Sequence, residues 1–289
     1  MTAWLGPPID VRPLFAGQQA AFINLLRGFT AEEWTRPTVC PGWDVKDIAT
    51  HVLGDHVGRL SMLRDRFVTL QPREDEAFPR FIDRINDEWV TAARRLSPLL
   101  LVDLLSTVGD QVVEYWQTVD MDAIGGSVSW AGPESHPVWL DAARDFSEYW
   151  THHQQICDAT GRAGLTEPRY LEPVLDTFMR ALPHTMRDVP APEGAAIQVV
   201  IRGFGGWACL RGGERWELRR PEPWRETLGT FDALIELDPD TAWRLCTRGI
   251  TPAQAIERAR IEGDRALGEA ALRIVSIIHP GEDAPDQRM

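Results

Sequence analysis

Ala142-Ala-Arg-Asp-Phe-Ser-Glu148-Tyr-Trp-Thr-His152 lies in a helical stretch with two distinct sides. Trp139, Ala143, Phe146, Trp150 and Cys157 recur at helical spacing and make its main apolar stripe. Glu148 and His152 fall well off the centre of that stripe, beside Asp141 and Asp145. Residues at i and i+4 project from one face of a helix, about 40° apart. A carboxylate and an imidazole presented together can hold two corners of a divalent metal site. The same spacing also describes a plain solvated pair, and the polar side could face water or a cleft. A third ligand must come from elsewhere. The obvious donor is His51, on the flank of the stripe Val45, Ile48, Ala49, Val52 and Leu53 in an early helix. Two imidazoles and one carboxylate leave a position open for water or substrate, as a catalytic site requires. His56 lies nearer the centre of that stripe, and His153 points along the apolar side of its own helix. Both read as core histidines.

Outward from this stretch, the first half of the chain repeats the helical pattern. Leu14, Phe15, Phe22, Leu25, Leu26 and Phe29 mark a helix from about Val11 to Phe29. Asp44 is a natural N-cap for a helix reaching about Phe67. Phe78, Phe81, Ile82, Ile85 and Trp89 make a third stripe, and Leu101, Leu104, Leu105, Val108, Val112 and Trp116 a fourth after Pro98. Gly125 to Pro137 reads as loop, and the Glu148/His152 helix stops near Gly161. Such a run describes a helix bundle, with sites built from facing helices.

After Gly161-Arg-Ala-Gly164 the texture changes. A helix is expected around Tyr170 to Met186. Ala196–Ile201, Gly206–Leu210, Arg215–Leu218 and Ala233–Leu237 are short apolar or alternating runs and read as strands. Helices follow at about Pro239–Cys246 and Pro252–Ile278, the second interrupted at Gly263, and an acidic, loose tail is expected from Pro280. The fold class is therefore α+β with two domains: a helical bundle over 1–165 and a small α+β domain over 166–289. The boundary is expected between Gly161 and Tyr170.

With 289 residues, two domains fit comfortably. Most of the 12 tryptophans sit at helical spacing among apolar residues and read as core anchors. The net charge of −13, with no basic block, opposes binding to nucleic acid. Cys40, Cys157, Cys209 and Cys246 are widely spaced without a Cys-x-x-Cys, which fits reduced thiols in a cytoplasm. No signal peptide is visible, and no run approaches the ~18 apolar residues of a membrane span.

Three stretches resemble the mycothiol-dependent maleylpyruvate isomerase family, within the DinB-like helical-bundle superfamily. Cys40-Pro-Gly-Trp-Asp-Val-Lys-Asp-Ile-Ala-Thr-His51 is similar to its turn and second helix, ending in the first metal histidine. Val128-Ser-Trp-Ala-Gly-Pro133, leading into Ala142–His152, is similar to the loop and helix bearing the other two ligands. Trp243-Arg-Leu-Cys-Thr-Arg248 and Glu262-Gly-Asp-Arg-Ala-Leu267 resemble the C-terminal domain, which is related to sterol-carrier-protein-2 (SCP2) folds. The resemblance implies a four-helix DinB-like bundle with a divalent metal on His51, Glu148 and His152. It places that metal in a cleft of the bundle near an SCP2-like second domain. The family often has Thr-Gly-Arg where this chain has Thr247-Arg248-Gly249, a departure that bears on which arginine meets an anionic substrate.

The implied chemistry is thiol-dependent. A thiolate adding to a cis alkene leaves a single bond free to rotate, and its elimination restores the trans alkene. A free thiol has a pKa of about 8.5, and a divalent cation deprotonates one that it coordinates. The thiol would be a low-molecular-weight cosubstrate of the mycothiol type. Zinc is the default metal for this ligand set, and nickel, iron or manganese can also occupy it. Isomerising a maleyl-type diacid calls for arginines that grip carboxylates, and Arg248 and Arg244 are the candidates. The same thiolate could instead attack an electrophile in S-transfer. Two readings from other classes are a carrier of hydrophobic ligands and an interaction protein with a structural metal.

Overall fold

The computed structural model describes residues 3–220 and 231–278. They divide into two compact units, one mainly helical and one built on a sheet. The expected tail from Pro280 lies outside the described residues.

The helical unit comprises Val11–Asp120 and Glu148–Tyr170, with Ile278. Its helices are α1 (Arg12–Arg27), α2 (Val45–Arg59), α3 (Phe78–Ala93), α4 (Pro98–Thr118) and the second part of α5 (Val138–Thr160). α4 packs on α1 and α2, and α3 on α2. Phe15, Leu26, Ile48, Val52, Leu101, Leu105, Val112 and Trp116, from the stripes read in the sequence, are all buried here. Asp44 does cap α2: its side chain accepts from the Asp47 N–H and the Asp47 carboxylate accepts from the Asp44 N–H. Arg94 then clamps Asp47 at 2.7 and 3.0 Å, tying the start of α2 to the end of α3. Trp89 of α3 donates from Nε1 to the Thr50 carbonyl at 2.8 Å, immediately beside His51. The helix expected to reach Phe67 stays α-helical only to Arg59, and Leu60–Arg64 form a wider π-type turn.

The sheet unit gathers residues up to Asp10, Met121–Ser147 and Leu171–Ile277. Its strands are β3 (Ala196–Ile201), β4 (Gly205–Arg211), β5 (Trp216–Arg219), β6 (Ala233–Leu237) and β7 (Arg260–Gly263), in the order β5-β4-β3-β6-β7. β3 pairs parallel with β6, and every other pairing in this sheet is antiparallel. The alternation read in Trp216–Leu218 and Ala233–Leu237 is a true inside–outside pattern. Its helices are α6 (Pro168–Met179), which begins in the helical unit, α7 (Leu182–Met186), α8 (Pro239–Cys246), α9 (Pro252–Arg258) and α10 (Arg265–Ala271). α10 packs on β6 and β7, and α7 on β5. Arg180 is fully buried beneath these elements. Its guanidinium donates to the carbonyls of Leu5 and Pro7 and to the Asp176 carboxylate, whose other oxygen accepts from Trp207 Nε1 at 2.6 Å.

Four further expectations need correction. Gly125–Pro137 is not all loop, because β1 (Ile124–Ser127) and β2 (Ser135–Pro137) pair antiparallel. The helix expected over Pro252–Ile278 is two short helices around β7. Ile261 pairs with Ile235, and Gly263, at φ +79°, ends the strand before the Asp264 cap of α10. The helix expected over Tyr170–Met186 breaks at Arg180-Ala181, ahead of Pro183 in the first turn of α7. The units also interleave in sequence, where a single cut near residue 165 was expected. The first ten residues and Met121–Ser147 join the sheet unit, and α5 passes from one unit to the other between Ser147 and Glu148.

Candidate metal centre

His51 comes from α2, and Glu148 and His152 from α5. One donor atom of each lies within 4.8 Å of the other two. His152 Nε2 stands 3.0 Å from Glu148 Oε1, and His51 Nε2 stands 3.7 Å from the same oxygen. The two imidazoles meet edge to face with ring centres 4.7 Å apart. Both histidines are buried, whereas the Glu148 side chain keeps 34% of its exposure, so the group opens on the carboxylate side. The polar side of α5 is therefore not a solvated face. Asp145 and His152 are as buried as the stripe opposite them.

The surroundings set the protonation of the group. Burial alone would raise the Glu148 carboxyl, but His152 and His51 outweigh it and hold that carboxyl far below its ordinary range. Burial pulls the His51 imidazole down, and Asp55, Glu148 and Asp87 together push it above its ordinary value. Asp55, one turn after His51, is raised by burial first and by Glu148 as well, against the pull of His51.

Neighbours fix the rings. His152 Nδ1 lies 2.8 Å from Gln155 Oε1, an acceptor, and its Nε2 is thereby turned to Glu148 Oε1 at 3.0 Å. The Cys40 thiol donates to the same amide oxygen at 3.5 Å. The Trp43 ring lies 5.2 Å from the His51 ring. The sequence reading missed Asp55 and Gln155 as parts of this group. For Asp55 the signal was present, since it repeats on α2 the four-residue interval of Glu148 and His152.

His56 and His153 stand apart from the group as buried core histidines. Burial lowers them to about 3 and about 4, although Nδ1 of each meets no hydrogen-bond partner. Cys157 is buried in the stripe, and burial pushes its thiol up to about 11, far from a ready nucleophile. Arg244 and Arg248 belong to the sheet unit. Arg244 pairs with Asp240 at 2.8 Å and lies over the Trp243 ring. Arg248 sits at φ +61° with a buried Nε that has no hydrogen-bond partner.

Residues 15–157 match the mycothiol maleylpyruvate isomerase N-terminal domain. Two crystal structures of the mycothiol-dependent maleylpyruvate isomerase, one of a point mutant, are similar in fold, each with a TM-score of 0.52. Identity is 11% to the mutant and 12% to the other, over 85% of this chain and 91% of theirs. At that identity the likeness concerns the fold. No curated protein matches the chain.

Proposed function

The chain belongs to the mycothiol maleylpyruvate isomerase family through residues 15–157, and on that premise we propose that it is a divalent-metal-dependent enzyme. It would use a low-molecular-weight thiol of the mycothiol type to isomerise a maleyl-type diacid. The observation that carries this reading is the convergence of His51, Glu148 and His152 within 4.8 Å. The residues fit a metal on chemical grounds. Two neutral imidazoles and a carboxylate held ionised are a familiar donor set for a divalent cation, and Gln155 presets the His152 tautomer for ligation. A bound cation would supply a thiolate at neutral pH by lowering the pKa of a coordinated thiol from about 8.5. Zinc is the default occupant, and nickel, iron or manganese suits the same donors.

Arg248 and Arg244 are proposed to hold the substrate carboxylates. Arg248 is the stronger candidate, because Arg244 is engaged by Asp240 and Trp243. The family resemblance also supports assigning the sheet unit to SCP2-like folds and the protein to the cytoplasm. No helix among the described residues is long and apolar enough to cross a membrane.

The test begins with elemental analysis of protein purified without added metal, followed by calorimetric titration with candidate thiols. The expected result is about one ion per chain, with thiol binding that disappears when the metal is stripped. Metal-free protein that catalyses thiol-dependent isomerisation at full rate would refute the reading.

A further inference from the structure

α1, α2, α4 and α5 meet around a narrow cavity in the core of the helical unit. Phe15, Val52 and Val112 give it apolar walls, and Gln18, Gln19 and His56 bring polar side chains to it. Gln18 is 3% exposed and His56 2%, so both are cut off from bulk solvent. The cavity leaves about 10 Å3 for the centre of a water-sized sphere. That is room for one water.

His56 is a polar group in need of a partner there. Burial lowers its pKa to about 3, so the ring is neutral and holds one N–H and one lone pair. Its Nδ1 is buried and meets no hydrogen-bond partner among the described residues. A buried polar atom without a partner is costly, and folded proteins rarely keep one unless water or a ligand meets it. An internal water needs two or more polar groups around it. Gln19 supplies a second. It donates from Nε2 to the Leu105 carbonyl at 2.8 Å, which leaves its amide oxygen to accept.

We propose that this cavity is a binding site for one internal water, which donates to His56 Nδ1 and to the Gln19 amide oxygen. The water ties α1 to the two helices that carry the gathered donors. His56 follows His51 by five residues on α2. Tyr149, next to Glu148 on α5, lines the same cavity and meets the His56 ring edge to face at 4.7 Å. Gln19 and Val113 also line an outer groove of about 400 Å3 between α1 and α4, which gives the water its way in. The water is held with or without a metal.

A high-resolution crystal structure of the full-length protein should place a water about 2.7–3.2 Å from His56 Nδ1. An empty cavity, or a protein group on Nδ1, overturns the proposal. In solution, Overhauser transfer from water to the Val52 and Val112 methyls should appear in wild type, and its absence also overturns the proposal. The transfer should vanish in His56→Leu, and if it persists there, His56 does not hold the water. Urea unfolding gives a third readout. His56→Leu should lower the midpoint, because the water loses a partner. A raised midpoint is what removal of a dry, orphaned nitrogen gives, and it overturns the proposal. If His56→Leu fails to fold, the two wild-type measurements still decide the matter.

Discussion

Gln155 is not one of the three gathered donors, yet by engaging Nδ1 it decides which nitrogen His152 offers. Gln155→Ala frees the ring to rotate and should weaken metal binding by about 10–100-fold without removing a ligand, measurable by calorimetry. Glu148→Gln should keep the fold and weaken metal binding further, because a charged donor becomes a neutral one of the same shape. Acid should act through the histidines. Glu148, held below its ordinary range, stays ionised throughout mildly acidic pH. His51 is held above the ordinary histidine value of about 6.5, so protons compete for its nitrogen from above that pH downward. Metal affinity should therefore begin to fall at a pH above the ordinary histidine value and keep falling as pH drops through it, with proton release on binding growing over the same span. The sequence named the three residues whose donor atoms the structure gathers. Gln155 was not legible, because its part depends on a side-chain orientation and a ring tautomer that no spacing encodes.

Between elements, the seating of α2 depends on close approach. A Cβ on Gly54 would stand 2.6 Å from Cδ1 of Trp89, whose indole is held by its bond to Thr50. Gly54→Ala should therefore cost about 1–3 kcal/mol in denaturant unfolding and weaken metal binding too, since His51 adjoins Thr50. A Cβ on Gly109 would first meet the far end of the Gln19 side chain, which can swing away from its bond to the Leu105 carbonyl. Gly109→Ala should cost less than Gly54→Ala. The helices were largely legible because long amphipathic periods average over errors, and the four expected strands lie where short apolar or alternating runs put them. β7 was not legible. Four residues carry too little pattern, and Arg260-Ile-Glu-Gly263 becomes a strand because Ile261 finds Ile235 across the sheet. β1 and β2 failed for the same reason, being too short and too exposed to show a period.

Across the whole molecule, the order of residues along the chain is not the order of its compact units. Hydrophobic period revealed which segments were helix or strand, but not that Leu5 and Pro7 bond to Arg180. Arg180→Met should destabilise the sheet unit by about 3 kcal/mol, the low end for a broken buried pair, because Arg220 still meets Asp176 at 3.2 Å. Urea unfolding followed by tryptophan fluorescence would measure it. The interleaving also sets a timetable. Chains emerge from the ribosome N-terminus first, at about 5–20 residues per second, and compact units close only when their last segment arrives. Nearly all the helical unit is present once Tyr170 is out, and by then His51, Glu148 and His152 are all available to one another. The sheet unit must keep its first ten residues and Met121–Ser147 waiting until β6, β7 and α10 have been made. The donors of the proposed metal site should thus come together on a nascent chain before its sheet, and an ion that they hold would be taken up while the protein is still unfinished.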